Sequence, residues 1–588
     1  MTSGNAIKKQ PLWRLYFVSL AAITLLGIII WKIFDLQVIN NTVLQEQGNM
    51  RTVRNDVIAA HRGNIMDRNG QALAISTPVQ SLWLNPREIL PNPSSWEKLK
   101  VALPAIDINA DVLWNRIQAN AEREFLYIKR RLAPADARKI LDLDIRGVYA
   151  QEEYMRFYPL GEVAAHVLGL TNADDVGQEG IELAYEEWLQ GKPGSRQVLK
   201  DRRGGIIREV KINEMAEPGK DLVLSIDSRI QYLAYKALKE EVTRRHAKAG
   251  TATVLDVETG EVLAMVSQPS YNPNNRNSLA DDAMRNRSIV DLMEPGSTVK
   301  PFTIMAALES GLFDTNSIID TNPGYVRVDG QLKKDPVNYQ EVTLEKIITK
   351  SSQVGAIKLG LAMGHDPMID VLQRVGFGTA IGTGFPGEAS GVLPSFPRWS
   401  KSDIATLAYG YGFQVTPLQI AQAYMIYANE GVKKPVSLLK TAGPVDGERV
   451  LDQDLVRKVN RMLETVVSKK LGGTGVRAAI PSYQVAGKTG TAWFYNVGGG
   501  YDNENYNAYF AGFVPARNPR IVAVITIHQP QGDETGGGTV AAPAFAKIAA
   551  GAMRILNVPP DNEDSEPSQI SMTNQPPAVE PGNPWSPR

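Results

Sequence analysis

Residues 294–302 contain the pair of side chains whose chemistry is easiest to recognise. Pro295 and Gly296 precede an apolar run at helical spacing, so the sequence predicts a helix that begins at or near Ser297. Residues three apart lie on one helical face, which brings the Lys300 amine close to the Ser297 hydroxyl. A lysine whose pKa is lowered by burial can accept the proton of a serine nucleophile. The pair is a candidate for nucleophilic catalysis, although a single Ser-x-x-Lys is more often a capped helix.

Two polar motifs farther along the chain change how this pair is interpreted. They are Ser351-Ser352-Gln353, after a helical pattern, and Lys488-Thr489-Gly490-Thr491, after a strand pattern. The second motif offers a cation and hydroxyls for a carboxylate, and its glycine lets a peptide backbone approach a strand closely. Each motif is weak alone. In this order and at these separations, the three match the set known from penicillin-binding proteins and class A β-lactamases.

On these motifs the chain resembles the penicillin-binding transpeptidase family, and within it the class B, division-specific branch. The resemblance extends over nearly all of the chain, through residues 62–70 (R-G-x-I-x-D-R-x-G), 180–186 (G-x-E-x-x-Y-E), 286–287 and 412–419. No glycosyltransferase module is expected ahead of it. One position departs from the family pattern, because the second motif normally ends in Asn and here ends in Gln353. Glutamine keeps the amide but adds a methylene, so it must sit differently to make the same contacts.

The resemblance implies D,D-transpeptidation of peptidoglycan stem peptides, with β-lactams as mimics of D-Ala-D-Ala. It implies Ser297 as nucleophile, Lys300 as base, and Ser351, positioned by Gln353, as proton relay to the leaving amine. It further implies an oxyanion hole from the backbone N–H groups of Ser297 and Thr491. Lys488 completes the implied catalytic set and would bind the terminal carboxylate, and the implied substrate-binding residues are Ser352, Thr489, Gly490 and Thr491. An amine of a neighbouring stem peptide would resolve the acyl-enzyme, and no metal or cofactor is expected.

Other functions share these motifs. A D,D-carboxypeptidase, an elongation-type transpeptidase and a serine β-lactamase stay open from the residues alone. The apolar N-terminal segment, the long region ahead of Ser297 and the absence of a recognisable deacylating Glu loop weigh against a β-lactamase. A β-lactam sensor or scaffold is an alternative of another class, but Ser297 and Lys300 are both present, and only about fourteen residues precede the apolar segment.

Composition and the remaining motifs exclude several other classes. The 63 basic and 63 acidic residues balance, so no nucleic-acid partner is expected. The chain has no cysteine, which excludes disulfides and thiolate chemistry, and neither H-E-x-x-H nor G-x-S-x-G occurs. Residues 382–387 satisfy G-x-G-x-x-G, but Pro386 occupies the position where a helix should open, so we do not predict dinucleotide binding.

Residues 15–31 form an uncharged apolar run between Arg14 and Lys32, long enough to span a membrane. No small-x-small cleavage site follows the run, so we predict an uncleaved anchor; a buried core helix is the alternative. Lys8, Lys9 and Arg14 predict a cytoplasmic N-terminus, with the rest of the chain outside the plasma (inner) membrane.

The elements that must position the motifs begin near Lys220. A short strand at 222–226 precedes a helix capped by Asp227, and a hairpin pattern spans 251–267. Two further strands (509–514 and 521–528) and an Ala-rich helix (541–556) close the unit. We therefore predict an antiparallel sheet built from both ends of this unit, with a helical insertion that carries Ser297.

The predicted fold class is α+β: a single transmembrane helix, an extended α/β pedestal, and a transpeptidase domain of the serine β-lactamase type with helices flanking an antiparallel sheet. The predicted boundaries are a cytoplasmic tail (1–14), the anchor (15–35), a non-catalytic pedestal or dimerisation-type domain (36–219), the transpeptidase domain (220–557) and a disordered tail (558–588). If the division-specific resemblance holds, a polytopic glycan-strand polymerase and other division proteins are the expected partners, through the anchor and pedestal.

Overall fold

The structure is a computed structural model that describes residues 12–39, 53–58, 60–200, 206–275, 281–496 and 500–561. The predicted disordered tail lies outside the described residues from 562 onward, and so does the predicted cytoplasmic tail up to residue 11. The chain forms two compact units. The first contains Met1–Arg62, Ser76–Met155 and Gln190–Lys220, and the second contains Gly63–Ile75, Arg156–Leu189 and Asp221–Arg588.

The helices of the described residues are numbered in chain order. They begin with α1 (Leu12–Phe34), α2 (Pro86–Ile89), α3 (Pro93–Ala102), α4 (Ala110–Ala119), α5 (Pro134–Leu141), α6 (Ala165–Leu168), α7 (Gly180–Ala184), α8 (Glu186–Leu189), α9 (Ser228–Arg244) and α10 (Asp281–Met284). They continue with α11 (Arg287–Val290), α12 (Lys300–Glu309), α13 (Leu344–Lys350), α14 (Gln353–Met363), α15 (Asp366–Arg374), α16 (Lys401–Ala408), α17 (Pro417–Ala428), α18 (Gln453–Thr465) and α19 (Gly537–Ile555).

The strands are numbered in the same way. They begin with β1 (Val53–Ile58), β2 (Ile65–Met66), β3 (Ala72–Leu84), β4 (Leu126–Leu132), β5 (Val148–Phe157), β6 (Gly194–Lys200), β7 (Ile206–Glu214), β8 (Leu222–Val223), β9 (Ala249–Asp256) and β10 (Val262–Gln268). They continue with β11 (Ile318–Asp320), β12 (Tyr325–Val328), β13 (Gln331–Lys334), β14 (Glu341–Thr343), β15 (Val432–Lys433), β16 (Glu448–Arg449), β17 (Ala486–Asn496), β18 (Gly500–Val514) and β19 (Ile521–His528).

The first unit contains α1 and a small α/β part. The segment Trp13–Ile39 contains a stretch of 18 residues with a mean hydropathy of 2.3, none of it buried, so by length and composition it is able to cross a membrane. In the α/β part, β1, β6 and β7 form an antiparallel three-stranded sheet, and β4 pairs antiparallel with β3. Side chains from α2 to α5 pack on β3 and β4 around Leu82, Trp96 and Ile128.

The second unit is organised by a five-stranded antiparallel sheet in the order β10-β9-β19-β18-β17. Two strands come from the start of the unit and three from its end, which confirms the predicted sheet and the helical insertion between its halves. Every residue of β9 and of β19 is buried, because helices cover both faces. One face of the sheet packs on α9 and α19, and the other face packs on the helices that include α12 and α17.

Two early segments, 63–75 and 156–189, belong to this second unit. The apolar residues Ile181, Leu183, Ala184, Trp188 and Leu189 predict one amphipathic helix within residues 172–194. The chain instead leaves helical geometry at Tyr185 (φ −115°) and forms the short helices α7 and α8. The predicted apolar side is therefore divided: Ile181 and Leu189 are buried, whereas Leu183 and Trp188 are 41% and 47% exposed.

Candidate active site

Ser297 lies in a tight turn immediately ahead of α12. The predicted helix is confirmed, but it starts as a 3-10 turn over Gly296–Val299 that continues into α12 at Lys300. Gly296 adopts a positive φ of 53°, and the turn is held from below by the buried Tyr424 hydroxyl, which donates to the main-chain oxygen of Thr298 at 2.8 Å. Ser297 itself is half-buried and lines a cleft.

Lys300 is buried, with 1% of its surface exposed, and lines the same cleft as Ser297. Its Nζ donates to the main-chain oxygen of Ser351 at 2.6 Å and to the Ser351 hydroxyl at 3.2 Å. Burial lowers the pKa of Lys300 to about 7, against an opposing effect of the Asp335 carboxylate. A large part of Lys300 is therefore neutral near pH 7, and the neutral amine is the form that accepts a proton from a hydroxyl.

The second motif occupies the junction between α13 and α14. Ser351 ends α13 in the left-handed region (φ 56°), and this conformation presents its carbonyl and hydroxyl to Lys300. Ser352 was predicted to bind substrate, but it is fully buried and its hydroxyl caps α14 by accepting from the Gly355 N–H at 2.9 Å. Ser352 thus holds the start of α14 and does not line the cleft.

Asp335 holds this junction in place, and no motif in the sequence indicated it. Its carboxylate accepts from the Ser352 hydroxyl at 2.6 Å and from the Gln353 N–H at 2.5 Å. A carboxylate at a helix N-terminus is favoured by the unpaired N–H groups and by the helix dipole. Asp335 stands in an Asp-Pro turn sixteen positions before Ser351, and no local pattern connects the two.

Replacing Asp335 with asparagine is expected to change the pH dependence of acylation by penicillin. Because the Asp335 charge raises the pKa of Lys300, its removal should lower that pKa below about 7. The rising limb of rate against pH should then move to lower pH, while the plateau falls about tenfold as charge-assisted hydrogen bonds are lost. Acylation rates of a fluorescent penicillin between pH 5.5 and 9 measure both effects.

Asp329→Asn is the matched control, since Asp329 accepts from the Ser402 N–H at the start of α16 and is not among the charges that act on Lys300. An Asp335→Asn midpoint that stays in place or moves to higher pH would contradict this role of Asp335.

Burial raises the pKa of Tyr409, a residue that follows α16, and the neighbouring Gln353 side chain opposes that rise. Both side chains line the cleft. The side chain that stands where the family has asparagine therefore acts on Tyr409 within the cleft.

The third motif lies on β17, the edge strand of the sheet. Lys488 is fully buried, and its Nζ donates to the Thr489 carbonyl at 3.0 Å. Burial and then the Lys300 charge lower the pKa of Lys488 well below its ordinary value. Thr489 lines the cleft and its hydroxyl is 2.7 Å from that of Thr474. A substrate carboxylate would therefore meet the Thr489 and Thr474 hydroxyls, with Lys488 beneath them.

Gly490 and Thr491 bring β17 against the turn that carries Ser297. A Cβ on Gly490 would lie 2.8 Å from the Thr298 methyl, so any larger residue would displace that turn. The Thr491 hydroxyl accepts from the Gly537 N–H at 3.2 Å, which ties β17 to the start of α19. Gly490 thus leaves space for the turn that carries Ser297. The sequence had predicted that this glycine makes space for a substrate backbone.

The cleft has a volume of about 1150 Å³ and joins the three motifs. Several residues that no sequence motif indicated also line it: Lys333, Lys334, Asp335, Tyr409, Tyr411, Thr474, Trp493 and Tyr506. Among the described residues, no group of three or more His, Asp or Glu side chains could hold a metal ion. The arrangement therefore offers a hydroxyl nucleophile, a neutral amine, a second hydroxyl beside that amine, and hydroxyl groups for an anion.

Two family models match the chain. Residues 250–550 match the penicillin binding protein transpeptidase domain, and residues 57–224 match the penicillin-binding protein dimerisation domain.

Individual proteins match along most of the chain as well. It is 42% identical over 551 residues to the peptidoglycan D,D-transpeptidase FtsI of Escherichia coli K12, with 93% of each chain covered. It is 40% identical to the probable peptidoglycan D,D-transpeptidase PbpC of Pseudomonas aeruginosa, with 91% of this chain and 94% of that one covered. Among solved structures, penicillin binding protein 3 of Mycobacterium tuberculosis in complex with aztreonam aligns with a TM-score of 0.66 at 28% identity, over 86% of this chain and 98% of the other.

Proposed function

The chain belongs to the class B penicillin-binding proteins, which join a dimerisation domain to a transpeptidase domain, and from that membership we propose that Ser297 is the acyl-accepting nucleophile of a peptidoglycan D,D-transpeptidase that acts at the division septum. One observation carries the proposal: a buried lysine with a pKa of about 7 and the Ser297 hydroxyl line one cleft. Identity over nearly the whole chain to transpeptidases named FtsI supports both the reaction and its place in division.

Acylation begins when neutral Lys300 accepts the Ser297 proton. The Ser297 oxygen then attacks the carbonyl carbon of the penultimate D-Ala and forms a tetrahedral intermediate. Backbone N–H groups of Ser297 and Thr491 hold its oxyanion, and each such donor typically contributes about 3–4 kcal/mol. The bond to the terminal D-Ala nitrogen breaks, and this nitrogen takes a proton from Ser351, which Lys300 resupplies across the 3.2 Å contact.

The terminal carboxylate of the donor peptide binds at the third motif. Thr489 and Thr491 line that end of the cleft, and Thr474 lies beside Thr489. An arriving carboxylate favours the protonated form of Lys488, whose amine lies 3.4 Å from the Thr489 hydroxyl. Lys488 thus contributes to substrate binding by its contact with Thr489, which lines the cleft.

The second half-reaction transfers the acyl group to an amine of a neighbouring stem peptide. That amine loses a proton to the Lys300–Ser351 pair as it attacks the ester, and Ser297 leaves with a proton, so the site is regenerated. β-Lactams bind this family of transpeptidase domains, and they stall at the acyl-enzyme because no leaving group departs from the site.

The protein is a single-pass protein of the inner membrane, anchored by α1. We infer a cytoplasmic N-terminus from Lys8, Lys9 and Arg14, which leaves the catalytic cleft outside that membrane. A polytopic glycan-strand polymerase and other division proteins are the proposed partners through the anchor and the dimerisation-type domain.

The discriminating experiment supplies the detergent-solubilised full chain with glycan strands that carry pentapeptides, and analyses the products by mass spectrometry after glycan digestion. A transpeptidase gives cross-linked dimers together with free D-Ala, and Ser297→Ala gives neither. Tetrapeptide monomers without cross-links would identify a carboxypeptidase. Unchanged pentapeptides would contradict an acyl-transfer enzyme and favour a sensor or scaffold.

A further inference from the structure

The walls of the catalytic cleft carry an unbalanced charge. Of the described residues that line it, four are lysines (Lys300, Lys333, Lys334 and Lys350) and Asp335 is the single acid. The chain as a whole has equal numbers of basic and acidic residues, so the excess is local. Asp335 supplies one negative charge, which acts on Lys300, so the lining keeps an excess of positive charge.

Two of the four lysines have defined roles within the fold. Lys300 faces Ser351, and the Lys350 amine donates to the carbonyls of Leu471 and Gly472, both at 2.8 Å. Lys333 and Lys334, by contrast, form no ion pair in the described part of the chain. Lys333 is half-buried, and burial lowers its pKa because the charged amine has lost part of its hydration. An anion beside the amine would stabilise the charged form.

The hairpin β12–β13 holds these two lysines in place. Val326 pairs with Lys333 and Tyr325 with Lys334 in an antiparallel register. At one end of the hairpin, the Asp329 carboxylate accepts from the Ser402 N–H at 2.7 Å. At the other end, the Asp335 carboxylate accepts from the Ser352 hydroxyl at 2.6 Å and from the Gln353 N–H at 2.5 Å, at the start of α14. The lysine backbones are therefore fixed between two ties to the cleft walls, which reduces the entropy lost when a ligand binds.

We propose that Lys333, with Lys334 adding positive charge from the same strand, binds a carboxylate of the peptide substrate that is distinct from the terminal carboxylate bound near Thr489. This inference rests on the proposed function and adds a substrate requirement to it. The carboxylate belongs either to the donor peptide, on the acyl side of the scissile bond, or to the acceptor peptide that brings the amine. Both sources present the same kind of anion to Lys333.

The donor arm of the test uses the full chain in detergent and two synthetic peptides ending in D-Ala-D-Ala. The peptides differ only in one upstream side chain, a carboxylate in the first and a carboxamide in the second. If the donor supplies the anion, the parent acylates about tenfold faster with the carboxylate peptide, and Lys333→Gln combined with Lys334→Gln reduces that ratio to about one. The acceptor arm holds the donor constant and compares transfer to amine acceptors with and without the carboxylate.

Benzylpenicillin has no counterpart of the second carboxylate, so the double variant should acylate with it at a rate within about twofold of the parent. Lys346→Gln, a lysine outside the cleft, controls for the loss of a positive charge. Loss of the ratio in the donor arm or in the acceptor arm supports the proposal and identifies the source of the carboxylate. A parent that discriminates in neither arm, or a double variant that keeps the full ratio, overturns it. If penicillin labels Ser297 and neither peptide does, the proposed function fails, and this inference fails with it.

Discussion

Lys300→Met is expected to lower the rate of acylation by penicillin by about 10³–10⁴-fold, the usual range for loss of a general base that acts with a nucleophile. Lys300 is 1% exposed and its amine contacts Ser351, so methionine fills the same space without a group able to accept the Ser297 proton. The rising limb of the pH profile near 7 should disappear together with the activity. Stopped-flow acylation with a chromogenic cephalosporin measures both.

The same variant should keep the fold. The pKa of Lys300 falls from 10.5 in the unfolded chain to about 7 in the folded protein, so the unfolded chain binds the proton more tightly. The resulting destabilisation is fully present below pH 7, fades as pH rises toward 10.5, and is on the order of 3–5 kcal/mol. Methionine removes this cost but leaves the Ser351 carbonyl without its donor, at about 1–3 kcal/mol. The apparent Tm at pH 6 should therefore be no lower than that of the parent.

Lys346→Met is the control, because Lys346 bonds only main-chain oxygens near its own helix and lies outside the cleft. It should retain full acylation. A Lys300→Met protein that acylates within tenfold of the parent would exclude Lys300 as the base.

Glu182→Ala is expected to produce the largest loss of stability. The Glu182 carboxylate and the Arg156 guanidinium are both fully buried and 2.6 Å apart, and Arg156 also donates to the Gly63 carbonyl at 2.8 Å. Truncation of one partner leaves the other charge buried without it, which typically costs about 3–5 kcal/mol. Thermal unfolding of the full chain in detergent should show an apparent Tm lowered by several degrees.

Two comparisons make this prediction specific. Glu240→Ala removes one partner of the exposed pair with Lys547 and should change the Tm very little, since exposed pairs contribute about 0–1 kcal/mol. Replacing the buried pair together, as Arg156→Met with Glu182→Leu, should recover most of the loss. Equal shifts for Glu182→Ala and Glu240→Ala would contradict the assigned cost of the buried charge.

The sheet of the second unit was predictable because its signals are local. The hairpin around Glu258-Thr259-Gly260 alternates polar and apolar residues. The strands at 509–514 and 521–528 are short, mostly apolar runs separated by the Pro-containing segment 515–520, so each pairing could be predicted from its own segment. The helix cap at Asp227 is also confirmed, since its carboxylate accepts from the Arg229 N–H. Fold class and family followed from these elements and from the three motifs.

The features that could not be predicted from the sequence depend on contacts between segments that are far apart in the chain. Asp335 holds the second motif from a separate turn, and the Gln353 side chain acts on Tyr409 more than fifty positions away. Arg156 joins the 62–70 motif to the 180–186 motif, although no periodic pattern singles it out. The predicted substrate role of Ser352 failed for the same reason: its burial follows from the packing of α14, and spacing alone does not report burial.

Intact-mass analysis of the full chain after incubation with benzylpenicillin, beside Ser297→Ala, tests most directly whether Ser297 forms an acyl-enzyme. We expect the parent to gain the mass of one intact penicillin and to keep it for many minutes, while Ser297→Ala gains none. Peptide mapping should locate the adduct on residues 294–302. An adduct of equal yield on Ser297→Ala, or no adduct on the parent, would contradict a Ser297 acyl-enzyme and with it the proposed transpeptidase.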